Sequence, residues 1–268
     1  MSHRVCCFLL PLILATPVLS AADTPEPNEI VDRMIAAAGG EAFASIGILE
    51  LVVTEEEIRR DGSRGGKSYS LLVDTTNVMN LRMEIPGDVV VAGTKGGGWS
   101  TVKGVLDDRR QTVQMARRTL NQTAFTLLLP FSLRMEGVWA KEVREAVIDG
   151  REVWVMALPF AKGFFVNPIL TTDWIMVVAR DDYSLISIEF APSKEFHEVA
   201  PAGIRYRYIK EKDVGGAKIA EQVLAVSIDQ QFQDSGATRV TKIASKVRPW
   251  DATLFLSPAR LEALEKDD

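Results

Sequence analysis

Residues able to do chemistry are few in this chain, and their spacing limits what they could do. His197 is the only histidine past position 22, and no cysteine occurs there. It sits in KEFHEVAP, beside Glu195 and Glu198. A catalytic triad would need a serine on a sharp strand–turn–helix elbow, and the chain has no G-x-S-x-G. With its two glutamates His197 would make a poor, loop-borne metal site. Glu55-Glu56-Glu57 and Asp181-Asp182 place carboxylates side by side, as acid–base work requires, but the first reads as the outer edge of a strand and the second as a turn. Gly65-Gly66-Lys67-Ser68 resembles the tail of a phosphate loop. However, Asp61 stands where that loop needs glycine, and a strand follows where it needs a helix. Gly96-Gly97-Gly98 lacks dinucleotide spacing and reads as a turn. Neither catalysis, a bound metal nor a cofactor is expected.

The first residues set the compartment. His3 and Arg4 are followed by an apolar run over 5–19 and by the small residues Ser20-Ala21-Ala22. This is the pattern of a cleaved signal peptide at 1–22, and it predicts a periplasmic protein. Cys6 and Cys7 lie within that run as small hydrophobes, too early to be a lipid-anchor cysteine. Without a later cysteine the remaining chain can have no disulfide or thiol nucleophile. The net charge is −5, and losing Arg4 makes it more negative. That charge argues against nucleic acid and against an anionic membrane surface. With 47% hydrophobic residues the chain can bury a large core, and 23–268 reads as a single domain.

Residues 88–133 organise the elements. A strand at 88–94, a Gly-rich turn and a strand at 99–102 are followed by Asp107 and Asp108, either of which suits a helix N-cap. Val113, Ala116, Leu120, Ala124, Leu127 and Leu128 then recur at helical spacing until Pro130. The faces are fixed relative to one another: Leu120, Ala124, Leu127 and Leu128 inward, Arg117, Arg118 and Asn121 toward water. A lone helix in a run of strands must bury its stripe on the sheet, and a loose fit would leave an apolar cavity.

Around this centre, Thr24-Pro25 opens a helix that buries Ile30, Met34, Ala37 and Ala38 and ends at Gly39-Gly40; a further turn spans 40–45. Strands are predicted at 48–60, 67–75 and 77–85. Hairpins follow at 145–148 with 152–158, about Asp149-Gly150, and at 173–180 with 185–191. A third pairs 203–213 with 218–231 about Gly215-Gly216, and a last strand covers 237–248. Ser257-Pro258 caps a C-terminal helix. The loop 159–168 carries Phe160, Phe164 and Phe165. The fold class expected is mainly β with α: a curved antiparallel sheet or incomplete barrel whose concave face is covered by helices.

Several segments together resemble the LolA/LolB-like superfamily, in particular its longer outer-membrane lipoprotein-sorting members. They are AAAGGEAFASIGILEL, DVVVAGTKGGGW, a helix closing in LLLP, VIDGREVWVMAL, WIMVVARDDYSLISIEF, YRYIKEKDVGGAKIAEQVLAV and LFLSP. The resemblance implies an incomplete barrel with a hydrophobic cavity for acyl chains. It implies a carrier of lipid or acylated protein, with an envelope transporter or outer-membrane acceptor as further partners. Two departures are the greater length and the missing anchor cysteine. The apolar set expected to line the cavity is Trp99, Leu120, Phe125, Leu128, Phe131, Trp154, Phe164, Phe165 and Trp174. The alternatives are a non-transporting structural or sensing module of the same fold, with a filled core, and behind it a hydrolase.

Overall fold

The structure is a computed structural model that describes residues 24–59, 61–94, 97–107, 109–166, 174–190, 203–228 and 234–267. The signal segment and His197 lie outside the described residues. Thirteen antiparallel strands form one open, curved sheet. β1 (Ile48–Ile58), β2 (Arg64–Asp74), β3 (Leu81–Ile85), β4 (Val89–Thr94), β5 (Gly97–Val102) and β6 (Val105–Asp107) make one meander. β7 (Lys141–Ile148), β8 (Arg151–Leu158), β9 (Trp174–Ala179), β10 (Leu185–Phe190), β11 (Gly203–Val214), β12 (Ala217–Ile228) and β13 (Asp234–Arg248) make the other. The two meet where β1 pairs with β13, in a register that sets Val53 opposite Ile243. β6 and β7 are therefore the two edges, and the chain between them has to travel from one to the other.

It does so as α3 (Arg110–Leu127), followed by a 3-10 turn at Phe131–Arg134. The 18 residues of α3 give it a length of about 27 Å at 1.5 Å per residue. α1 (Pro27–Ala37) buries Ile30, Val31 and Met34 in the same core, and α2 (Gly40–Ser45) adds Phe43. The inner face follows the strand period of two: Leu49, Leu51 and Val53 on β1 point into the main core. On the opposite face Ile48 and Leu72 pack with Phe255 from a second 3-10 turn, Ala252–Phe255, which precedes α4 (Pro258–Asp267).

Several boundaries differ from expectation for local reasons. The first helix starts at Pro27 with Glu26 as N-cap, so Pro27 takes the first-turn position in place of Pro25. The strand predicted at 77–85 begins only at Leu81. Asp74 accepts from the backbone N–H of Thr76 and Asn77 and from the Asn80 side chain, and this holds 74–80 as a turn. Arg109, and neither aspartate, occupies the N-cap of α3. Asp107 still serves the first turn, accepting from the Arg109 backbone and the Thr112 hydroxyl. Gly97 and Gly98 belong to a strand, with Gly98 opposite Gly93.

Candidate functional site

Glycine sets how closely α3 approaches the sheet. A Cβ on Gly93 would lie 3.1 Å from Leu120 Cδ1, and one on Gly98 would lie 3.5 Å from the Val113 carbonyl and 3.9 Å from Arg117 Cβ. The bare backbone of β4 and β5 thus forms a seat for the helix. Leu120, Ala124, Leu127 and Leu128 all point into the core as expected. Asn121, expected in water, is buried at 7% exposure. It lies between the inward stripe and a cleft that it lines together with residues 136–139 and 161–164.

Phe125 is the hub of the interior. Its ring meets those of Phe160, Phe164, Phe165 and Trp174 edge-on, at centroid distances of 4.9, 6.1, 6.1 and 5.7 Å. Trp174 in turn stacks on Phe165, Phe190 and Tyr206. Phe131 stacks on Phe43 at 3.9 Å, tying the 3-10 turn to α2. Trp154 packs into the same core from β8, with the Arg180 guanidinium 4.4 Å from its ring centre. Its Nε1 is buried with no acceptor among the described residues.

Eight of the nine expected lining residues therefore share one core: Leu120, Phe125, Leu128, Phe131, Trp154, Phe164, Phe165 and Trp174. Trp99 does not join them. It pairs with Ala92 on the sheet face away from α3 and donates from Nε1 to the Phe255 carbonyl at 3.1 Å, with the Arg82 guanidinium over its ring. The strand period separates it from Gly98, which faces the helix. Four of the eight, Phe125, Phe164, Phe165 and Trp174, are linked by direct ring contacts.

One end of the inner face is polar, and sequence reasoning missed it. Its charge places Glu55 at the outer edge of a strand. Instead it is buried on the inner face, accepting from the Tyr69 hydroxyl at 2.7 Å and pairing with Arg239 and Lys67, each at 3.3 Å. Arg239 also donates to the Tyr206 hydroxyl at 3.4 Å. Burial, and then the Glu55 charge, push the Tyr69 phenol far above its usual range. Burial does the same to Tyr206 and Tyr208. The alternation Val53, Glu55, Glu57 along β1 was the available signal: these residues share a face. Among the described residues no group of His, Cys, Asp and Glu is placed to hold a metal. The described clefts open at the surface. One of about 410 Å³ lies between the outer flank of α3 and residues 136–139 and 161–164, with Phe164 in its wall.

No family model matches the sequence, and no curated protein does. Solved structures do match in fold. A LolA superfamily protein from Nitrosomonas europaea superposes with a TM-score of 0.57 at 14% identity, covering 88% of this chain and all of the other. A DUF1329 family protein from Desulfovibrio piger gives 0.54 at 9% identity, over 89% of this chain and all of its own. A Vibrio parahaemolyticus domain described as an outer membrane lipoprotein-sorting protein gives 0.53 at 8%, over 90% of this chain and 97% of its own. This chain thus shares the fold of these structures, an open curved sheet crossed by a helix.

Proposed function

We propose that this chain is a periplasmic carrier that holds the acyl chain of a lipid or lipoprotein non-covalently between the sheet and α3. The observation that carries the reading is the interior itself: a continuous aromatic and aliphatic core, from Phe43 to Trp174, covered by α1 and α2 and crossed by α3 on an open sheet. Acyl chains are recognised by burial alone, at about 0.8 kcal/mol per methylene. A surface of rings, leucines and methionines suits that burial without asking for polar partners. The unmet Nε1 of Trp154 is a donor that an ester or amide carbonyl of an acylated ligand would satisfy. Loading requires the rings about Phe125 to separate, and α3 with residues 160–165 is the part that moves. The fold likeness to a lipoprotein-sorting domain supports this reading, as does the leader-like start at 1–22.

A second reading is favoured by the packing. The interior is filled in this state, as a non-transporting module would have it. Native mass spectrometry of protein isolated from periplasm, with uptake of a fluorescent fatty-acid probe, separates the two. A carrier retains lipid or takes up the probe, and co-purified acyl species displace on probe addition. Protein that is empty as isolated and takes up no probe is a filled module, and the carrier reading then fails.

A further inference from the structure

The cleft on the outer flank of α3 has a composition of its own. Gln114, Arg117, Arg118 and Asn121 line it from the helix, at the spacing that puts them on one stripe. Lys162 and Trp139 face them from the neighbouring segments. Three cations thus meet one carboxylate, Glu136. Among the described residues Arg117, Arg118 and Lys162 form no ion pair, in a chain whose net charge is −5. Like charges gathered without partners repel one another, and an anion relieves the repulsion.

The cleft is also built to a fixed shape. Its far wall is held by backbone bonds from Ala161 to Gly137 at 2.8 Å and from Trp139 to Pro159 at 3.3 Å. Gly163 has a positive φ of 80°, and a Cβ there would stand 3.1 Å from the Arg118 guanidinium, so the missing side chain makes room for the charge. Asn121 is more than nine-tenths buried and lines the cleft. An amide beside a guanidinium pair is suited to the several oxygens of a phosphate. Trp139, half exposed, offers an apolar surface at the rim. The inner wall is Phe164, whose ring also meets Phe165 at 4.9 Å, Phe160 at 5.2 Å and Phe125 at 6.1 Å. One ring therefore separates a cationic cleft from the acyl-binding interior.

We propose that this cleft binds the phosphate of an anionic lipid, whose acyl chain passes Phe164 into the core. The inference rests on the carrier reading and adds the headgroup class to it. A carboxylate would leave part of the charge unmatched, whereas a phosphate monoester carries about −1.5 to −2.

Three probes and one variant test it. Lauroyl lysophosphatidic acid and monolauroylglycerol share a chain and differ in the phosphate; inorganic phosphate has the phosphate alone. The triple variant Arg117→Gln/Arg118→Gln/Lys162→Gln changes side chains that reach solvent and leaves the core intact. The wild type is expected to bind the lysophosphatidic acid about tenfold tighter than the glycerol ester, a difference of about 1.4 kcal/mol. The variant should lose that preference while binding the glycerol ester unchanged. Equal binding of both amphiphiles by the wild type, or a preference that survives in the variant, overturns the headgroup proposal and leaves the carrier reading standing. Binding of neither overturns both. Inorganic phosphate that binds as tightly as the lysophosphatidic acid would make the cleft a free-anion site and overturn the lipid assignment.

Discussion

The hydroxyl of Tyr208 donates to the backbone carbonyl of Thr126 at 2.8 Å, tying the last turn of α3 to β11. The first turns of the same helix sit on the glycine seat of β4 and β5. The roof is thus anchored at both ends, by close backbone packing at one and by a single polar contact at this point of the other. Tyr208→Phe removes the hydroxyl and leaves the ring. It should cost about 1 kcal/mol of stability, read by denaturant unfolding, and should speed uptake of a fluorescent fatty acid. Unchanged uptake would mean that α3 is not the moving part.

Leu128→Ala should be expensive. The side chain is 1% exposed and packed in the filled interior, so its loss leaves a cavity worth about 2–5 kcal/mol. A smaller cost would show that the ligand-free protein in solution opens this space.

Gly39→Ala tests how the N-terminal helices dock. Gly39 has a φ of 83°, and an added Cβ would overlap the carbonyl oxygen of Gly216 in the turn between β11 and β12. The left-handed backbone alone disfavours alanine by about 1–2 kcal/mol, and the overlap adds to it. The expected result is a clear fall in melting temperature, with α1 and α2 losing amide protection first in hydrogen exchange.

The buried phenols predict an alkaline limit. Tyr69, Tyr206 and Tyr208 hold their protons more tightly folded than unfolded. Their contribution is fully present below the unfolded tyrosine value, near 10, and is lost as pH rises beyond it, because only the unfolded chain releases those protons. Phenolate absorbance of these three should appear together with unfolding. A smooth titration near pH 10 in protein that stays folded would contradict the burial.

Directions were legible in the sequence; depth and distant pairing were not. The stripe Val113, Ala116, Leu120, Ala124 identified α3 and its inward face, because helical period fixes angles between side chains. Period carries no information on what the face meets, so it could not distinguish Phe125 at the hub of packed rings from Phe125 beside a void. It also misplaced Asn121, which is buried beside residues distant in sequence. Residue type groups Trp99 with the other aromatics, although its strand position, next to helix-facing Gly98, sends it to the other side of the sheet. Charge alone sends Glu55 outward, whereas its alternation with Val53 is the better guide. The β1–β13 pairing joins strands from the two ends of the chain, and local pattern does not encode such partners.

That pairing has a consequence for how the molecule assembles. Within each meander every strand bonds to its neighbour in sequence, so each can zip from hairpins at small loop-closure cost. The β1–β13 seam and the passage of α3 bring together residues far apart along the chain, as do α2 against β12 and the Ala252–Phe255 turn against β3 and β4. Neither meander alone makes the bowl, so the hydrophobic interior comes into being when the seam closes. Until then its rings are open to solvent and to other chains. The long stretch that crosses from β6 to β7 keeps the halves at high effective concentration, so the seam closes within one molecule before two molecules can exchange halves.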